Sequence, residues 1–130
     1  VPGTILLVDD NHEILTGVRM RLGAVGYQTR TACDGQTGIQ SAIQHPPDAI
    51  VMDVRMPGID GLQAVAELQC RPDTKDIPII VLSASLADEE SALDAGAHFF
   101  VKKPYVGTEL IAAIRAAVGL KSVPSKGGSE

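Results

Sequence analysis

The chain has 130 residues, 45% of them hydrophobic and 3% aromatic, with a formal net charge of −5 at pH 7. This is enough chain for one domain with a core of Val, Ile, Leu and Ala, and its acidic balance argues against nonspecific nucleic-acid binding, which needs a basic face. No apolar stretch reaches membrane-spanning length and no signal-peptide pattern is seen, while Cys33 and Cys70 lack metal-ligand spacing, so a cytoplasmic domain with reduced thiols and no membrane contact is expected.

Thr4–Val8 is a short apolar run ending in Asp9-Asp10. An unbroken run of that length predicts a strand buried on both faces of a parallel sheet. Asn11 can cap a helix from Glu13 onward, with Ile14, Val18, Leu22 and Val25 as its apolar face and Gly23 and Gly26 closing it. Tyr27–Ala32 alternates and carries polar groups, which predicts an edge strand. Asp34-Gly35 turns the chain into a helix with Ile39, Ala42 and Ile43 on its face, stopped by His45-Pro46-Pro47.

Ala49–Met52 is the third strand, ending at the carboxylate of Asp53, after which Pro57, Gly58 and Gly61 force a loop. Leu62, Val65 and Leu68 mark a helix capped by Asp60 and ended by Pro72. Ile77–Leu82 is the fourth strand and Ser83 ends it, with Pro78 near its start, where proline is tolerated. Asp88, Glu89 and Glu90 suit the first turn of a helix, whose face of Ala92, Leu93 and Ala95 is thin and which Gly96 ends. His98–Val101 is the fifth strand, leading into Lys102-Lys103-Pro104. Thr108 can cap a last helix with Leu110, Ile114, Ala117 and Val118 on its face. From Gly119 the composition turns to Lys, Ser, Pro and Gly, so residues 1–119 are expected to be the domain and 120–130 a flexible tail or linker. The start at Val1 rather than Met is expected to reflect processing or excision from a longer chain.

Strands alternating with helices predict an α/β fold, a doubly wound parallel sheet with helices on both faces and right-handed crossovers. Asp9 and Asp10, Asp53, Ser83 and Lys103 then all fall on the carboxyl edge, where such sheets bind ligands. Three neighbouring carboxylates repel and need positive charge to stay ionised. A hard divalent cation such as Mg²⁺ fits carboxylate oxygens and leaves room for a phosphate, and the Lys103 ammonium adds a second, fixed charge. One carboxylate can then act as a nucleophile toward a phosphoryl group, with the cation and Lys103 neutralising its oxygens. The Ser83 hydroxyl can donate to the bound group.

This constellation resembles the receiver domain of two-component response regulators. The matching residues are Asp9-Asp10, Asp53 within Asp-Val-Arg-Met-Pro-Gly-Ile-Asp-Gly, Ser83-Ala84 and Lys103-Pro104, and the likeness covers about residues 4–119. It implies a flavodoxin-like five-stranded sheet in the order 2-1-3-4-5. It also implies that Asp53 is the phosphoacceptor, that Asp10 binds Mg²⁺ directly and Asp9 mainly through water, and that the Arg55 backbone carbonyl completes the protein ligands. Lys103, the lysine directly before proline, would pair with the phosphoryl group across a cis peptide to Pro104, leaving Lys102 solvated. Ser83 and Phe100 would be the switch residues, Phe100 lacking the hydroxyl of the tyrosine often found there. Arg55 and Ser85 lie where the family tunes dephosphorylation. The donor would be a sensor histidine kinase or a histidine phosphotransfer protein, and the reader of the changed helix 4–strand 5–helix 5 face an output domain, an effector or a second copy of the chain.

The resemblance implies a signalling switch that catalyses its own phosphorylation and dephosphorylation rather than an enzyme acting on other substrates. His12 beside the acid pair is expected to be exposed at a helix start, His45 and His98 to be structural or solvated, and Met56 and Ile59 to pack. A haloacid-dehalogenase-like phosphatase would need an acid where Arg55 stands. A flavodoxin would need a phosphate loop where Asp9-Asp10 would repel phosphate. A receiver-like interaction module independent of phosphorylation is the remaining alternative, and the intact acids and lysine argue against it.

Overall fold

A computed structural model describes residues 3–103 and 107–122. Five strands alternate with five helices: β1 (Thr4–Val8), α1 (His12–Ala24), β2 (Gln28–Ala32), α2 (Gly35–Gln44), β3 (Ala49–Asp53), α3 (Gly61–Cys70), β4 (Ile79–Ser83), α4 (Asp88–Ala95), β5 (Phe99–Lys102) and α5 (Gly107–Ser122). All strand pairs are parallel and the sheet order is β2-β1-β3-β4-β5. The doubly wound, flavodoxin-like arrangement expected from the sequence is the one observed. Tyr27–Ala32 does supply the edge strand β2, whose Arg30 guanidinium donates to the Ser41 and His45 carbonyls at the end of α2.

Alternation along each strand divides the interior in two. Ile5, Leu7, Ala49, Val51, Ile80, Leu82 and Val101 face α1 and α5. Leu6, Val8, Ile50, Met52, Ile79 and Val81 face α2, α3 and α4, with Met56, Ile59 and Phe100 packed against them. Both sheet faces are therefore buried, which is why β1, β3 and β4 read as continuous apolar runs.

Local details depart from the sequence pattern at several points. The fully buried residues of α1 are Leu15, Val18 and Leu22, and the expected Ile14 and Val25 pack half-buried against the same cluster, so Leu15 widens the stripe. Gly23 lies within α1, and it is Gly26, at φ +96°, that turns the chain toward β2. Thr108 lies inside α5, which already begins at Gly107, so it is not the residue that caps the helix. The same helix continues to Ser122, so the change in composition at Gly119 does not mark its end. The Lys103–Pro104 peptide bond lies outside the described residues.

The loop after β3 is fixed at both ends. Gly58 takes φ +79°, a conformation glycine adopts without strain. Asp60 caps α3 through a reciprocal box with Gln63, at 2.9 Å in each direction. Gly61 serves a different purpose from the turn expected of it. It opens α3, its N–H donates to the Val54 carbonyl at 2.8 Å, and a Cβ there would lie 2.0 Å from the Asp53 carbonyl oxygen. The helix start is thus pressed against the backbone that carries Asp53. Gly61→Ala is expected to destabilise the protein by about 2 kcal/mol or more, the range for forced overpacking against unyielding atoms. Urea denaturation would show this as a lower midpoint.

Candidate functional site

Register brings the polar residues to one edge. Asp53 is the last residue of β3 and pairs with Leu82, while Ser83 ends β4 opposite Lys102. Asp9 follows β1, its N–H bonded to the Ala32 carbonyl at 3.1 Å, and Lys103 follows β5, its N–H bonded to the Ser83 carbonyl at 2.7 Å. The ladder therefore continues past the formal strand ends and holds these residues on ordered backbone. Asp53 continues the alternation of Ala49 and Val51, on the α1–α5 side. Lys103 continues that of Phe99 and Val101 on the same side. Lys102 falls on the opposite alternation and is exposed, as expected for the solvated member of the pair.

One carboxylate oxygen from each of Asp9, Asp10 and Asp53 lies within 4.8 Å of the others. Asp9 and Asp53 are buried and Asp10 is exposed. The Lys103 ammonium lies 2.5 Å from Asp53 Oδ1 and 3.5 Å from Asp9 Oδ2. Asp9 Oδ1 accepts the Asn11 N–H at 2.9 Å, and Asn11 in turn caps α1 by accepting from the Glu13 and Ile14 N–H groups. The acid pair is thereby coupled to the helix that follows it. Asp9 Oδ2 is buried and accepts no hydrogen bond among the described residues.

Charge is unbalanced: three carboxylates face one ammonium. Burial, with the repulsion of Asp9 and Asp10, pushes the Asp53 carboxyl above the usual carboxylate range, although its hydrogen bond from Lys103 pulls the other way. Burial would pull the Lys103 ammonium down, but the hydrogen bond and charge of Asp53, helped by Asp9, outweigh it and hold it above the ordinary lysine value. Asp53 is thus raised first by burial and then by its acidic neighbours, whereas Lys103 is raised by those acids against its burial. The donor set, three carboxylates offering oxygens within 4.8 Å of one another, suits a hard divalent cation.

Ser83 is buried, but its hydroxyl does not face Asp53. It donates to Asp88 Oδ2 at 2.5 Å and lies 3.3 Å from the Ser85 carbonyl, and it accepts the Ser85 N–H at 3.0 Å. The alternation of β4 accounts for this, since Ser83 continues the side of Ile79 and Val81, toward α4. Arg55 extends its guanidinium to Asp88 Oδ2 at 3.5 Å and is largely exposed. Phe100 is half-buried against the α2–α3–α4 cluster. His12 is exposed at the start of α1, and His98 Nδ1 accepts the Ile79 N–H at 3.2 Å in a structural contact. Asp88 is the residue that sequence reasoning missed as part of this neighbourhood. It read only as a helix-start acid, and no local pattern announces a side-chain bond back across a turn.

The folded Asp53 carboxyl takes up its proton at higher pH than the unfolded chain does. Its contribution to stability is therefore fully present below 3.8, the ordinary value, and is lost as pH rises through the folded value. Lys103→Met removes the opposing ammonium and should push the Asp53 carboxyl further up. The variant is expected to lose about 1–3 kcal/mol at neutral pH, the cost of leaving a buried group unpaired. Part of that loss should be recovered as pH falls toward the carboxylate range, which urea titrations across pH would register.

Comparison with known proteins agrees with this geometry. A family model described as the response regulator receiver domain matches residues 5–115. The transcriptional regulatory protein PrrA of Mycobacterium tuberculosis is 36% identical over 128 residues, covering 97% of this chain and 54% of that protein. KdpE of the same species, also a transcriptional regulatory protein, is 38% identical over 116 residues, covering 88% of this chain and 50% of its own length. The chain thus spans about half the length of the curated relatives it matches. Among solved structures, the receiver domain of sensor histidine kinase PA1611 from Pseudomonas aeruginosa, with magnesium coordinated in its active-site cleft, superposes with a TM-score of 0.84 at 34% identity, covering 90% of this chain and 98% of that one. The chemotaxis protein CheY4 of Vibrio cholerae gives a TM-score of 0.81 at 28% identity, covering 88% and 97%. An acidic triad and a lysine converging on the carboxyl edge of a 2-1-3-4-5 sheet, in a chain matched almost end to end, place this protein in the response regulator receiver domain family of two-component signal transduction.

Proposed function

We propose that this receiver is a phosphorylation switch whose phosphoacceptor is Asp53. The observation that carries the reading is the unbalanced cluster itself: Asp9, Asp10 and Asp53 gathered around one ammonium, which reaches both Asp53 Oδ1 and the buried Asp9 Oδ2. Asp10 and Asp53 would hold Mg²⁺ directly, Asp9 mainly through water, and the Arg55 backbone carbonyl would complete the protein ligands. When bound, the cation supplies positive charge that draws off electron density from the phosphoryl oxygens and offsets the acids.

A carboxylate oxygen of Asp53 attacks the phosphorus of a phosphohistidine on a partner kinase or phosphotransfer protein. The new O–P bond forms as the P–N bond breaks, and the departing imidazole takes a proton. Lys103, already held by Asp53, is placed to follow the phosphoryl oxygens and neutralise them. Ser83 then turns its hydroxyl to the new group, Phe100 shifts into the space released, and the α4–β5–α5 face changes. The exposure of Leu86 and Leu93, with Ala92 the buried residue of α4, is consistent with an element of low local stability that can respond.

We read residues 1–119 as the switch and the segment beyond as the connection to an output. The relatives' length and their printed role as transcriptional regulators favour a nucleic-acid-binding output elsewhere in the whole protein, while the acidic receiver itself makes no such contact. A phosphorylation-dependent homodimer is compatible with the responding face. No helix among the described residues is long and apolar enough to cross a membrane, which accords with a cytoplasmic setting.

Phosphorylation with a small phosphodonor, followed by hydroxylamine release, tests the acceptor. The wild type is expected to give alkali-labile, hydroxylamine-sensitive label with Mg²⁺ present and none after chelation, and Asp53→Asn to give none. Persistent label in that variant would move the acceptor elsewhere. Asp10→Asn is expected to weaken Mg²⁺ binding about tenfold or more in calorimetry, because affinity for hard cations tracks ligand charge.

A further inference from the structure

We infer that Asp88 is a positioning residue that holds the Ser83 hydroxyl turned away from Asp53, so that an anion bound at Asp53 must break the Ser83–Asp88 bond to draw the hydroxyl over. The inference deepens the proposed function and rests on it. A serine hydroxyl carries one proton to donate. Here that proton is committed to a carboxylate, at 2.5 Å, from a buried serine to a half-buried Asp88. A hydroxyl bonded to a charged acceptor is held about twice as strongly as one bonded to a neutral acceptor. Ser83 cannot donate to Asp88 and to a phosphoryl oxygen on Asp53 together, so the two anions compete for one donor.

The same bond has a second effect, because Asp88 is the first residue of α4. The preceding Ala87 supplies no side-chain cap, and Ala92 is the buried residue of this helix. The Asp88–Ser83 contact therefore fastens the start of a weakly packed helix to the end of β4. Arg55 approaches the same oxygen at 3.5 Å, but its side chain is 75% exposed and the pair is screened by water. When the hydroxyl leaves, the first turn of α4 loses its tie to the sheet. Redirecting the serine and loosening the helix become one event, with the strength of a single hydrogen bond setting how much anion is needed to bring it about.

Titration of the full chain with beryllofluoride and Mg²⁺, followed by backbone amide NMR, tests this. Asp88→Ala is expected to lower the beryllofluoride concentration at half-saturation about tenfold, as expected for loss of a competing charge-assisted bond. In a Ser83→Ala background the same substitution is expected to change it less than twofold. Glu89→Ala, which removes an exposed negative charge one residue along the same turn, is also expected to change it less than twofold. Asp88→Asn keeps the shape of the side chain and an acceptor without the charge, and should fall between the wild type and Asp88→Ala. Equal half-saturation in the wild type and Asp88→Ala, or an equal gain with and without Ser83, would overturn the inference and leave the phosphorylation reading standing. Failure of the wild type to take up beryllofluoride, or uptake by Asp53→Asn, would overturn that reading and the inference with it.

Discussion

Three carboxylates within a few ångströms of one another repel, and the fold must hold them there against that repulsion. It does so by placing them at the ends of strands whose remaining residues are locked in a double-faced apolar core. Asp53 cannot withdraw into solvent without dragging Met52 and Val51 out of register, and Asp9 is tied through its other oxygen to Asn11 at the start of α1. Lys103 offsets part of the repulsion from a backbone position bonded to the Ser83 carbonyl. Burial and the remaining repulsion raise the Asp53 carboxyl, and the acids around Lys103 raise its ammonium. A site held in this state is primed for added positive charge.

Much of this was readable from the chain because the signals are local and redundant. Four-to-five-residue apolar runs bounded by turns mark buried parallel strands, and a charged residue directly after such a run must emerge at the carboxyl edge. The choice between Lys102 and Lys103 followed from family resemblance in the sequence, and strand alternation explains it physically. Asp60 as the cap of α3 and the thin face of α4 were equally visible, since both depend on residues a few positions apart.

What was not readable depends on distances between elements. Leu15 is the most deeply set residue of the first turn of α1, beside the expected Ile14, and only the packed helix shows it. Gly61 looks like any turn glycine until α3 is laid against the Asp53 carbonyl. Ser83 reads as a donor to a bound phosphoryl group, and its bond to Asp88 appears only once the β4–α4 turn has a shape. In each case the residue type was noted correctly and its partner was not.

The division of the interior by the sheet has a further consequence. Asp53 and Lys103 are rooted in the layer shared with α1 and α5, whereas Ser83 and Phe100 belong to the layer shared with α2, α3 and α4. A close-packed layer resists piecemeal adjustment, and here the sheet stands between the two. If Asp53 is the acceptor, as proposed, a change there would have to cross the sheet to reach the serine and the phenyl ring, and the carboxyl edge, where both layers meet, is the short route.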